Sequence, residues 1–232
     1  MIVLRELYAA IPEPASGPAE RAILRAGIEL FGERGYGATS VRQIATAAGV
    51  TPPLIAYHFR SKEGLFLACM DVVLRGMDAD VWRVVEGTRG LSELVRELAR
   101  VHLEFPKQHP QALRLLLTVF YGPEDARPEV DVMTGWVSVL QAVERRVAEA
   151  IRAGEFQPRA GTVSVQLTRH LFRLLHMGMF ESCEREKCGK LPGIDPGFLA
   201  PTGDPVEDLH DQFFFGAGRL AGSGQERREE AP

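Results

Sequence analysis

Between Thr39 and Phe66 two short helical patterns are pressed around one glycine, and this restricts the fold more than any other segment of the chain. The stretch reads TSVRQIATAAGVTPPLIAYHFRSKEGLF. Val41, Ile44, Ala45 and Ala48 recur at helical spacing behind Thr39 and Ser40, either of which can cap a helix start. Gly49 interrupts the pattern, and a second short helix is expected from Pro52 to about Phe59. A residue before proline is driven to extended backbone, which suits Thr51 as the N-cap. Pro52 and Pro53 then fill the first two helical positions, where backbone N–H groups lack intrahelical partners anyway. The Thr51 hydroxyl is expected to cap the Leu54 N–H, because Pro53 has none. Two short helices across a glycine turn form a helix-turn-helix, whose second helix can enter a major groove. At about 100° per residue, Ile55 and Phe59 share the core side of that helix, with Pro53, Leu54 and Tyr57 opposite.

The flanking sequence is helical in pattern throughout. Residues 1–17 read as a flexible arm holding Pro12, Pro14 and Gly17. A helix over 18–34 presents Ile23, Gly27, Leu30 and Phe31 on one side and ends at Gly35 and Gly37. Ser61 caps a longer helix running from Lys62 towards Val85. Beyond Gly90 come helices over Leu91–Phe105, ended by Pro106, then Pro110–Phe120, Glu129–Ala153, Val163–Glu181 and Val206–Leu220. A loop rich in Gly and Pro spans 188–205, and no strand-like alternation of useful length occurs. The expected fold is all-α, with about nine helices. It comprises the arm, a three-helix DNA-binding domain over 18–66, a helical ligand-binding and dimerisation domain over 67–221, and a disordered polar tail over 222–232.

Charge and cysteine content narrow the function classes. A net charge of -4 excludes a uniformly basic nucleic-acid binder but leaves room for a local basic patch. The three cysteines, Cys69, Cys183 and Cys188, are an odd and sparse set, which argues against a disulfide scaffold. The first residues lack a signal-peptide layout, and no apolar run approaches the ~18 residues of a membrane span. A cytoplasmic protein is expected. No Gly-rich phosphate loop, nucleophile elbow or H-E-x-x-H occurs, so no enzyme is expected and no cofactor is implied.

The segment LFGERGYGATSVRQIATAAGVTPPLIAYHFRSKEGLF, Leu30–Phe66, closely resembles the DNA-binding region of TetR-family regulators. The likeness rests on Tyr36 after the first-helix glycine, T-S-x-x-x-I-A, A-G-V-T at the turn, and Y-H-F-x-S-K-E-x-L-F. It implies that Thr39, Ser40 and Arg42 lie near the DNA backbone and that Tyr57 and Lys62 meet phosphates. It also places Thr51, Pro53, Leu54 and His58 on or near the recognition surface. Many relatives carry polar or basic residues where this chain has Pro52, Pro53 and Leu54. Base readout is therefore expected to lean on apolar contact with thymine methyls, with hydrogen bonds from Arg42 or His58.

A dimer reaches two half-sites where a monomer reads one, and its interface should be a broad apolar helical face. Leu167, Leu171, Leu174, Leu175 and Gly178, with Leu209, Phe213, Phe214 and Ala217, are the residues expected there. The resemblance agrees, since in relatives the last two helices pair with their copies. An unidentified small-molecule effector is expected among His102, Phe105, Leu116, Phe120, Trp136, Leu140, His176 and Phe180. The resulting reading is a repressor released from a palindromic operator in double-stranded DNA by that ligand. Two alternatives stand beside it. One is a metal- or redox-responsive regulator using His176, Cys183 and Cys188. The other is a helical interaction module that does not bind DNA.

Overall fold

A computed structural model describes residues 17–121, 127–130, 133–188 and 203–220. Residues 1–16 of the arm, most of the 188–205 loop and the tail over 222–232 lie outside the described residues. Among the described residues there are nine helices: α1 Pro18–Ala38, α2 Val41–Ala48, α3 Pro52–Phe59, α4 Lys62–Gly87, α5 Leu91–Gln108, α6 Pro110–Tyr121, α7 Met133–Arg152, α8 Ser164–Cys188 and α9 Pro205–Ala217. Among the described residues the fold is all-α apart from one short ribbon. Strands β1 (Phe156–Pro158) and β2 (Gly218–Leu220) pair antiparallel, with Phe156 opposite Leu220. That ribbon corrects the expected last helix, which stops at Ala217 instead of reaching Leu220. Phe156 is fully buried against Phe213 and Phe214, at ring separations of 5.9 and 5.4 Å. Burying that aromatic anchor offsets the weak strand propensity of so short a segment.

Two compact units divide the chain: residues 1–80 with 108–136, and residues 81–107 with 137–232. In the first unit α1 runs against α2 and α6 around Ile23, Leu24, Ile28, Phe31, Ile44, Ile55, Leu65 and Phe66. Phe31, Tyr36 and Phe66 form an aromatic triangle with centroids 5.1–5.8 Å apart. Gly32 is required for the α1–α6 approach, since a Cβ there would lie 2.2 Å from the Gln111 carbonyl oxygen. Tyr36 and Gly37 continue in helix after a kink at Gly35, whose φ of 80° breaks α1 where the sequence places its end.

The second unit is built on Leu94, Val95, Leu98, Val139, Val143, Val147, Leu167, Leu171, Leu175, Phe213 and Phe214. Its helix ends are closed by side chains from distant elements. Glu155 accepts from the Leu91 N–H at the start of α5. The Arg146 guanidinium donates to the carbonyls of Val85, Thr88 and Arg89 at the end of α4, which neutralises the negative end of that helix. Pro106 does not end α5, which continues to Gln108. One lost i→i−4 bond near a helix end is tolerated because Leu103, Phe105 and Pro106 are all buried there. None of the described helices is long and apolar enough to cross a membrane.

Candidate functional site

Local chemistry sets the frame of the helix-turn-helix. Ser40 starts α2 with a capping box: its Oγ accepts from the Gln43 N–H at 3.3 Å, and the Gln43 side chain accepts from the Ser40 N–H at 2.8 Å. At the other end Gly49 adopts φ 67°, ψ 31°, with Val50 N–H donating to the Ala45 carbonyl and Gly49 N–H to Thr46. This Schellman closure needs a left-handed residue, which glycine supplies without a Cβ penalty. Thr51 is extended as expected, but its hydroxyl caps nothing. The Leu54 N–H bonds instead to the Thr51 backbone carbonyl at 3.0 Å, so the proline start is closed by main chain alone. After α3, Arg60 has φ 65°, and the Ser61 N–H bonds back to the Phe59 carbonyl at 2.7 Å. That γ-turn joins α3 to α4 through Arg60 and Ser61, and Ser61 Oγ then caps the Gly64 N–H at 3.0 Å. A Cβ on Gly64 would lie 2.1 Å from the Phe59 carbonyl oxygen, so only glycine admits the turn.

This frame divides α3 as the periodicity indicates. Ile55 and Phe59 are buried. Pro52, Pro53, Ala56 and Tyr57 are exposed, and Leu54 is half-buried. Tyr57 shows 81% of its surface, the largest exposure among the big apolar side chains of the described residues. Ser40, Arg42 and Thr51 are also exposed. Lys62 sits half-buried with Nζ 4.2 Å from the Tyr36 ring centroid, and its partial desolvation lowers its pKa from the ordinary lysine value.

Two expected DNA contacts are placed differently. Thr39 is 1% exposed, and its hydroxyl is spent inside the unit, 2.8 Å from the Gly35 carbonyl and 3.1 Å from that of Leu30. It fastens the α1 terminus and leaves almost no surface for DNA. His58 is half-buried, with Nδ1 3.8 Å from the Glu20 carboxylate and its ring between Tyr57 and Phe59. It ties α3 to α1.

The residues expected to bind a ligand are distributed between the two units. Leu116 and Trp136 are buried in the first. His102, Phe105, Leu140 and His176 belong to the second. The side chains of Phe120 and Phe180 lie outside the described residues. One cluster does assemble. His102 on α5 and His176 on α8 meet at 6.1 Å between ring centroids, with Phe172 at 6.2 and 6.3 Å from them. Sequence reasoning missed Phe172, although it lies one helical turn before His176. Burial pushes the His102 pKa down to about 4, partly opposed by the hydrogen bond between Nδ1 and the Leu98 carbonyl and reinforced by His176. Burial also lowers His176, against a hydrogen bond to the Phe172 backbone. A separate groove of 340 Å³ in the first unit is lined by Pro18, Arg21, Arg25, Glu29, Ala47 and Ala48, and none of the expected ligand residues reaches it.

Most residues expected at a dimer interface are used inside the chain. Leu167, Leu171, Leu175, Gly178, Leu209, Phe213 and Phe214 are buried within the second unit, and Leu174 is half-buried. The Ala217 side chain lies outside the described residues. Gly178 admits α9: a Cβ there would lie 2.9 Å from Leu209 Cδ1. The outer faces carry other residues, Val165, Arg169, Arg173 and Met177 on α8 and Phe215 on α9.

For the metal or redox alternative, Cys183 and Cys188 have side chains outside the described residues. Among the described residues no group of three or more His, Cys, Asp or Glu could hold a metal ion. Cys69 is fully buried with its thiol 3.7 Å from the Leu24 carbonyl, and burial raises its pKa far above the usual thiol range. It is a core residue without thiolate character.

The capped α2, the Gly49 turn and the proline-started α3 define a helix-turn-helix protein. Residues 23–69 match the family model described as bacterial regulatory proteins, tetR family. It is 32% identical over 143 residues to the HTH-type transcriptional regulatory protein RaaS of Mycobacterium tuberculosis, a match covering 60% of each chain. It is also 32% identical over 144 residues to the HTH-type transcriptional regulator RutR of Escherichia coli K12, covering 60% of this chain and 65% of RutR. The matches thus span less than two thirds of these relatives' length. Among solved structures, FadR from Bacillus subtilis in complex with stearoyl-CoA superposes with a TM-score of 0.59 at 16% identity, over 84% of this chain and 97% of that one. That likeness is one of fold.

Proposed function

We propose that this chain is a sequence-specific transcriptional regulator, a repressor that leaves a palindromic operator when a small molecule binds its second unit. The observation that carries the reading is Tyr57. An 81%-exposed tyrosine on a helix fixed at both ends gains little from folding, which fits a side chain kept for a partner. Around it, Pro53 and Leu54 present apolar surface suited to thymine methyls in a major groove. Ser40, Arg42, Thr51 and Lys62 supply phosphate donors on the same helix-turn-helix. His58 acts by holding α3 against Glu20.

The regulator acts as a homodimer. With the expected leucines occupied in the core, the interface falls to the outer faces of α8 and α9, through Val165, Met177 and Phe215. Ligand sensing falls to the second unit, at the His102–Phe172–His176 cluster. The effector favours a conformation with misplaced recognition helices, and linkage requires that operator DNA weaken effector binding equally. Helix α4 is the covalent continuation of α3 through the Arg60 turn and is the lever in this scheme. The protein has no catalytic role in this reading and works in the cytoplasm.

Selection of binding sites from random duplexes at two salt concentrations tests the reading. Recovery of a palindrome whose enrichment falls steeply with salt is expected. No enrichment at low salt, with the protein free of bound small molecules by mass spectrometry, overturns it.

A further inference from the structure

We propose that the effector is a neutral, largely apolar molecule carrying a hydrogen-bond donor, a hydroxyl or amide N–H, which it gives to the bare Nε2 of His102. This rests on the reading of the second unit as the ligand sensor and names the chemistry that unit selects.

The tautomer of His102 follows from its partner. Nδ1 lies 2.7 Å from the Leu98 carbonyl oxygen. A carbonyl only accepts, so Nδ1 carries the proton, and in a neutral imidazole Nε2 is then a lone-pair acceptor. That acceptor is buried and has no hydrogen-bond partner. Native interiors rarely leave such an atom unpaired, and an orphaned acceptor away from water is a stored penalty that an incoming donor relieves. His102 itself is 1% exposed.

The surroundings set the charge of the molecule. Phe172 packs edge-on to His102, and Leu98, Leu103 and Leu175 are buried on the same helices. His176 is the titratable neighbour that acts on His102, and it opposes a positive charge there. With its pKa pushed down to about 4, the ring stays neutral at physiological pH and offers no counter-charge to an anion. A carboxylate or phosphate brought to Nε2 would set acceptor against acceptor in a low-dielectric site. A donor-bearing apolar molecule satisfies the nitrogen and replaces no strong hydration of its own.

The test uses the full chain and three probes of nearly one shape: 2-naphthol, 2-methoxynaphthalene and 2-naphthoate, titrated calorimetrically near neutral pH. The naphthol is expected to bind on the order of tenfold more tightly than the ether, the scale of one hydrogen bond to a buried acceptor. The naphthoate is expected to be weaker than both. The 15N resonance of His102 Nε2 should move on adding naphthol and stay in place with the ether. In His102→Leu the naphthol preference should vanish while ether affinity remains, and in His102→Gln, which keeps an acceptor, it should be partly retained. Equal binding of naphthol and ether, tightest binding of naphthoate, an unmoved Nε2 resonance, or no saturable binding of naphthol overturns the proposal. Site selection on DNA separates this from the parent reading. A recovered palindrome released by naphthoate alone leaves the regulator standing and the neutral-donor proposal lost. Naphthol bound at His102 without any selected DNA does the reverse.

Discussion

Tyr57 and Thr39 both stood in the expected DNA-contact set, and their environments give opposite predictions. Tyr57 is 81% exposed, so Tyr57→Ala should leave Tm nearly unchanged and weaken binding to the selected operator by about tenfold, read by fluorescence anisotropy. Thr39 is buried with its hydroxyl on the Gly35 and Leu30 carbonyls, so Thr39→Val should lose about 1 kcal/mol of stability in urea unfolding. Operator affinity of the folded Thr39 variant should stay close to that of the unaltered chain. His102 gives a pH dependence whose sign is fixed. Its folded pKa is about 4 against about 6.5 in an unfolded chain, so the unfolded state takes a proton that the folded state refuses. The ring contributes nothing to pH dependence above that upper value. As pH falls from about 6.5 to about 4 it removes about 3 kcal/mol, and below that its effect is constant. Replacing His102 by Leu should flatten this part of the stability profile, measured by chemical denaturation at stepped pH. Asp78 has the opposite sign. Burial raises its pKa to about 6 and leaves Oδ1 without a hydrogen-bond partner, so the folded chain carries a poorly solvated carboxylate above that pH. Asp78→Asn should raise Tm at neutral pH and change it little in mild acid.

At the scale of the element, the helix-turn-helix depends on three backbone solutions more than on its side-chain surface. Gly49 holds the left-handed closure of α2, and Gly49→Ala should cost about 1 kcal/mol, seen as a lower Tm. Gly64 is under a stronger constraint because the Phe59 carbonyl oxygen occupies the place of a Cβ. Gly64→Ala should therefore cost more than Gly49→Ala and should also weaken operator binding, since the α3–α4 turn must open. Arg60 sits between them with φ 65°, a conformation that disfavours any Cβ. Its position between the recognition helix and the proposed lever makes that strain a candidate part of the coupling. Elsewhere the packing overrules local preference. Pro106 stays inside α5 because its neighbours are buried, and Gly218–Leu220 form strand β2 because Phe156 on β1 needs cover.

At the scale of the whole molecule, the proposed homodimer rests on the outer α8 and α9 faces. Met177→Asp combined with Phe215→Asp should shift the protein towards monomer in analytical ultracentrifugation while leaving its helix content unchanged, since both side chains are more than half exposed. Legible in the residues alone was whatever depends on neighbours within about one helical turn: a capped start of α2 at Thr39 or Ser40, the break at Gly49, the proline start of α3, the Ser61 cap, and the division of α3 into a buried Ile55–Phe59 side and an outer Tyr57 side. These follow from steric limits and hydrogen bonds that the residues carry wherever they sit. Which apolar stripes were already covered, and which polar atoms already had partners, was settled by packing between distant segments. Leu171 and Phe213 look alike in sequence whether they face a second chain or their own core, and here they are buried in their own. The Thr39 hydroxyl finds the Leu30 carbonyl nine residues back, and His102 meets His176 across two helices. Burial and pairing of this kind are sums over distant segments, so no local pattern encodes them.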